Sequence, residues 1–165
     1  ARAAIEWRLA AAEAIRQVGN DLFKKGEYGA AVGQYNKALR YARIRTYGPD
    51  NPPPLSEAEQ ARAAGAEVAC VLNRAACRLK LGRNAAALDD CDSVLEGEPD
   101  NAKALFRRGQ AKVALKRVEE ALVDLGRAAK LEPNDKGIAA ALAAAKKAVE
   151  AEVQKEKATY AKMFK

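Results

Sequence analysis

The sequence predicts an all-α fold: three helix pairs in a right-handed solenoid, followed by a long C-terminal capping helix. Three observations predict it. The chain repeats itself, with Ala87 and Ala121, and Pro99 and Pro133, each 34 residues apart. Aromatic residues are only 5% of a chain that is 49% apolar, and much of the apolar content is alanine, which favours closely packed small-residue helices over a thick sheet core. Strict alternation of polar and apolar residues is nowhere sustained, so no strand is expected.

The repeat carries the organisation. "AALDDCDSVLEGEPDNAKAL" aligns with "EALVDLGRAAKLEPNDKGI". A period of 34 suits the tetratricopeptide repeat, a helix–turn–helix unit with small residues where its helices cross. The first copy is "IRQVGNDLFKKGEYGAAVGQYNKAL", with Gly19, Leu22, Ala31, Tyr35 and Ala38 on the pattern. The second places Ala75, Ala87, Val94 and Pro99, and the third Gly109, Ala121, Ala128 and Pro133.

The pairs map in order to helices over 3–25 and 28–46, 57–81 and 84–96, and 101–115 and 118–131. Copies one and two are out of step, because Ala31 and Ala87 lie 56 residues apart, 22 more than one period. The surplus holds Gly48, Pro49 and Pro52-Pro53-Pro54, which cannot continue a helix. A proline-rich loop is therefore expected near 48–56, with extra turns on the neighbouring helices. Ser56 with Glu59 forms a capping box that starts the next helix. The last helix, 135–162, is not a repeat. Its stripe of Ile138, Leu142, Ala145, Val149, Val153, Tyr160 and Phe164 is helical in period. Its first half should cover the apolar face that the third pair leaves open, and its second half should project. The expected domains are residues 1–134, a three-repeat body, and 135–165, a capping helix with a basic tail.

Composition excludes much chemistry. Histidine is absent, removing the usual general base, the usual zinc ligand and every Ser-His or Cys-His pair. Cys70, Cys77 and Cys91 fit no zinc spacing and read as small buried apolar residues. An odd cysteine count without a secretory signal argues for a reducing compartment, the cytoplasm. No apolar run approaches a bilayer span. No catalytic residue, metal site or cofactor is expected. The net charge of +7 could serve nucleic acid, an acidic peptide or an anionic membrane. Sparse aromatics on the basic faces and the lack of a nucleic-acid motif argue against nucleic acid. Since the chain begins at Ala1 without Met, it is expected to be part of something longer.

In stacked repeats of this kind the first helix of each pair lines the concave face. Arg16 and Asn20 are four apart on the first such helix, Asn73 lies on the second, and Lys103 and Arg107 are four apart on the third. Like charges at that spacing repel by a few tenths of a kcal/mol. The arrangement makes sense if an anion completes it. A carboxylate is the best candidate, because Arg grips one in two parallel hydrogen bonds, Lys adds a point charge and Asn an amide donor. Arg74 and Arg108, a quarter-turn on, are read as meeting solvent or a neighbouring helix. Core roles are expected for Phe23 and Phe106, with contact to a ligand's apolar side chains as the alternative for Phe23.

The stretches "GNDLFKKGEYGAAVGQY", "NRAACRLKLGRNAAALDDCDSVLE" and "NAKALFRRGQA" resemble the tetratricopeptide domains of co-chaperones. "NDKGIAAALAAAKKAVEAEVQKEKATYAKMFK" resembles the tail of the large immunophilins, the cyclophilin-40 type first and the large FK506-binding type second. The resemblance implies a carboxylate clamp, a Lys-Asn-Asn-Lys-Arg set that maps onto Arg16, Asn20, Asn73, Lys103 and Arg107, with Arg16 where the family has Lys. It implies that Arg16, Asn20 and Asn73 hold a peptide's C-terminal carboxylate, and Lys103 and Arg107 the side chain of its terminal Asp. The implied partner is the Met-Glu-Glu-Val-Asp tail of heat-shock protein 90, with heat-shock protein 70 as a further candidate. The fragment would be non-catalytic, its parent a peptidyl-prolyl isomerase whose catalytic domain precedes it. A competing reading takes the basic amphipathic segment from Ala144 as a target for calmodulin or an anionic membrane.

Overall fold

The structure is a computed structural model that describes residues 2–46 and 53–165. The described residues form seven helices: α1 (Arg2–Lys24), α2 (Tyr28–Ala42), α3 (Glu57–Lys80), α4 (Asn84–Gly97), α5 (Ala102–Ala114), α6 (Val118–Leu131) and α7 (Lys136–Met163). No strand occurs among them. They form two compact units, residues 1–86 and 87–165.

In the first unit α1 packs on α2, and α3 packs on α2 and more lightly on α1. Ile5, Leu9 and Ala12 of α1 and Ala31, Tyr35, Ala38 and Leu39 of α2 are buried. Gly19 is where these helices come closest: a Cβ there would lie 2.7 Å from Cε1 of Tyr35. Arg8 donates to the carbonyls of Arg40 (2.8 Å) and Tyr41 (3.3 Å), oxygens that the end of α2 leaves without helical partners. α2 stops at Ala42, four residues short of the expected 46, where Arg43 turns to ψ 86° and its N–H closes on Leu39 O. Residues 47–52, which include much of the proline loop expected near 48–56, lie outside the described residues. The Ser56–Glu59 capping box that starts α3 is formed in both directions. Cys70 and Cys77 are buried thiols of this unit, and Cys91 is a third in the other. Burial pushes the Cys70 thiol up to about 11 and that of Cys91 up to about 12, so neither is a ready nucleophile.

In the second unit α5 packs on α6, and α7 covers α6. Gly109 stands to Leu125 as Gly19 stands to Tyr35: its Cβ would lie 2.7 Å from Cγ of Leu125. Leu105, Ala128 and Ile138 form one buried cluster, and Ala121, Leu125 and Ala145 another, with Phe106 packed against both. Ile138, Leu142 and Ala145 are thus the part of α7 that covers the third pair. Each large side chain so buried contributes on the order of 1.5–3 kcal/mol. From residue 151 onward every residue of α7 is exposed.

Three turns share one geometry. The last turns of α1, α3 and α5 close through Gly26, Gly82 and Lys116, all at positive φ (77°, 70° and 64°). In each, the residue at positive φ donates to the carbonyl three back, and the next N–H reaches five back. Glycine takes this conformation without steric penalty and lysine does not.

Candidate functional site

The first unit holds three of the expected residues. Asn73 Nδ2 donates to Asn20 Oδ1 at 3.0 Å, so α1 and α3 bring these two amides into contact. Tyr35 on α2 donates its hydroxyl to the same oxygen at 2.8 Å. With both donors on Oδ1, the Asn20 amide is fixed in orientation and its NH2 group is turned outward. There Nδ2 makes one long contact, 3.4 Å to Gln17 Oε1. An amide held this way presents N–H donors to an incoming acceptor at little further entropic cost.

Arg16 is half-buried one turn earlier on α1 and is already engaged. Its Nε and Nη2 donate to the two oxygens of Glu13 at 3.0 and 2.6 Å, a fork-to-fork pair within one helix. Glu13 also accepts from Gln17 Nε2 at 2.9 Å. The hydrogen bonds from Arg16, then Gln17, hold the Glu13 carboxyl below its ordinary value, and Glu13 in turn raises Arg16. Arg16 and Glu13 line a cleft of about 270 Å3 between α1 and α3, whose α3 wall is Arg62 and the small residues Gly65, Ala66 and Ala69. Neither Glu13 nor Tyr35 was among the expected site residues. Glu13, three residues before Arg16, was detectable from helical spacing alone.

The second unit holds the other two. Lys103 is exposed and makes no ion pair among the described residues. Arg107, one turn on, is half-buried on the face toward Cys91, which feels its charge. The same helix carries two further cations. Arg108 makes a bidentate pair with Asp124 (2.8 and 2.7 Å) and a third bond to Asp92 (2.9 Å). Lys112 bonds Asp124 at 2.8 Å. Asp124 is 2% exposed. Burial pushes its carboxyl up, but hydrogen bonds from Arg108 and Lys112 outweigh that and hold it below the ordinary range. Arg108 therefore serves the α4–α5–α6 packing, and Arg74 likewise reaches Asn36 of α2 at 2.8 Å. Phe106 fills the core, and Phe23 meets Tyr28 edge-on at 5.3 Å.

Among the described residues no group of His, Cys, Asp and Glu could hold a metal ion, and no helix is long and apolar enough to cross a membrane. What the site offers is oriented amide donors and cations, which suit a carboxylate-bearing ligand.

The helix pairs with small crossing residues and a polar face on their first helices define a tetratricopeptide domain. No protein-family model matches the chain. It is similar to Arabidopsis thaliana peptidyl-prolyl cis-trans isomerase FKBP42, 38% identical over 161 residues, which are 98% of this chain and 43% of that one. Among solved structures it is similar to the C-terminal TPR-containing domain of a Plasmodium falciparum FK506-binding protein (TM-score 0.78, 27% identity, 91% of this chain and 95% of that one). It is similar also to the first TPR of Spaghetti (RPAP3), solved bound to the HSP90 peptide SRMEEVD (TM-score 0.66, 27% identity, 86% and 94%). The chain is similar to the tetratricopeptide domains of large FKBP-type immunophilins. The cyclophilin-40 likeness expected first is not supported; the second expectation, the FK506-binding type, is. Its helical neighbours fit a solenoid of repeats. The chain spans less than half the length of the curated relatives it matches.

Proposed function

We propose that this domain binds the acidic C-terminal tail of heat-shock protein 90 as a co-chaperone module. In this reading Asn20, Asn73 and Arg16 take the terminal carboxylate, and Lys103 and Arg107 take the side chain of the final Asp. The observation that carries it is the Asn73–Asn20–Tyr35 hydrogen-bond set, which orients an amide donor that the core does not use. Lys103, exposed and without an ion pair among the described residues, adds a cation on α5. A similar domain bound to an HSP90 peptide supports the choice of ligand. Arg16 enters this scheme by exchanging the Glu13 carboxylate for that of the ligand. The domain itself is non-catalytic in this reading. Its parent, in the same reading, is an FKBP-type prolyl isomerase of the cytoplasm.

The test is a calorimetric titration with Met-Glu-Glu-Val-Asp across a salt series. Binding should weaken with salt, because partly exposed charge pairs are screened. A peptide of the same composition with Asp moved from the C-terminus should not bind. Equal binding of both would reduce the site to a diffuse basic surface. A heat-shock protein 70 tail peptide, run alongside, ranks the two chaperones.

A further inference from the structure

In the second unit a hollow of about 690 Å3 opens between the α5–α6 turn and the outer flank of α7. Its floor is apolar, with Val118, Ala148, Val149 and Val153. Its rim is acidic. Glu120 is taken up by Arg117, but Glu119, Glu152 and Glu156 have no ion-pair partner among the described residues.

Further along the same helix lies the converse surface. Tyr160, Met163 and Phe164 are 65%, 74% and 72% exposed, and the rings of Tyr160 and Phe164 pack together at 4.7 Å. Lys157, Lys162 and Lys165 flank them. This apolar knob with a basic rim has the chemistry that the hollow lacks. It cannot fold back into its own hollow. α7 is continuous from Lys136 to Met163 with no glycine or proline after Gly137, and Val149 and Met163 lie about 21 Å apart along it.

We propose that the hollow takes the α7 tail of a second copy of this chain. The two α7 helices would lie antiparallel about a two-fold axis near Glu156 and Lys157. Knob and hollow on one rigid helix, opposite in charge and both apolar at the centre, form a self-complementary patch, and a two-fold axis satisfies both at once. Antiparallel packing sets Glu152 of each copy beside the lysines of the other and opposes the helix dipoles.

Sedimentation velocity of the 165-residue chain from about 1 µM to about 200 µM tests this. A concentration-dependent dimer is expected. Glu152→Lys alone and Lys162→Glu alone each place like charges at both contacts and should weaken it roughly tenfold. Mixing the two variants pairs Lys with Glu at both contacts and should restore association. Deleting residues 157–165 should give a monomer with an unchanged circular dichroism melt, since that segment is wholly exposed. A chain monomeric throughout, or a dimer indifferent to these changes, or a mixture no tighter than its components, overturns the proposal. So does a monomer whose tail instead binds calcium-loaded calmodulin.

Discussion

The two sets of candidate binding residues are prepared in different ways. On α1 and α3 the groups are held by one another: Tyr35 and Asn73 fix Asn20, and Glu13 fixes Arg16. On α5 a buried acid holds the cations beside them. Four cations occupy one helix, and buried or half-buried acids claim Arg108 and Lys112. Preorganisation in the first region comes from hydrogen bonds that any ligand must leave intact or replace. In the second an ion network fixes the neighbouring cations Arg108 and Lys112 against α6. The like-charge pair Lys103 and Arg107 is tolerable on a helix whose other cations are neutralised beside them.

The comparison breaks most visibly at Asp124. Asp124→Asn leaves Arg108 and Lys112 half-buried beside a neutral amide, and should destabilise the domain by about 3 kcal/mol in chemical denaturation. The pH dependence has a definite sign. The folded Asp124 is more acidic than the unfolded, so its contribution is complete above the unfolded value of about 3.9 and is lost as pH falls through the lower folded value. Wild type should therefore lose thermal stability in that acid range by more than Asp124→Asn does. A variant as stable as wild type at neutral pH would remove the network from the account.

Arg107→Ala should weaken peptide binding about tenfold or more, about 1.4 kcal/mol, with little change in melting. Arg108→Ala should do the reverse, lowering the melt and leaving affinity within a few-fold. Equal affinity losses would mean that the two cations are not sorted. Lys116→Gly should raise stability by about 1 kcal/mol, since glycine relieves the left-handed strain that Gly26 and Gly82 avoid at the matching turns. A drop would mean that the lysine side chain contributes more than its backbone costs. Glu13→Gln should tighten peptide binding two- to threefold, about 0.5 kcal/mol, because it removes the charged competitor for Arg16. Weaker binding would show that Glu13 positions Arg16 for the ligand.

Much of the fold was legible because the repeat is local. Small residues at fixed offsets, turn signals and capping residues give the seven helices, and the first half of the α7 stripe is the part that covers α6, while Val153, Tyr160 and Phe164 run on beyond that cover. Asn101 and Asp135 cap α5 and α7, each accepting from the N–H three residues on. The end of α2 was not legible, since Arg8 reaches its last carbonyls from 32 or more residues away. Within the site, Glu13 beside Arg16 follows from spacing. Tyr35 beside Asn20 does not: residues 15 apart meet only because Gly19 lets α2 approach. The fate of Arg108 depended on Asp124, 16 residues on across another helix interface. The positive φ of Lys116 was legible in principle, since it falls one period after Gly82, where glycine has been replaced.

The central claim is that oriented amides and Arg16 read a free terminal carboxylate. Calorimetric titration with Met-Glu-Glu-Val-Asp as the free acid and as its C-terminal amide measures this directly. The account predicts that the free acid binds with an affinity that falls with salt, and that the amide, which keeps every side chain, binds at least tenfold more weakly. An amide that binds as tightly as the acid would contradict it.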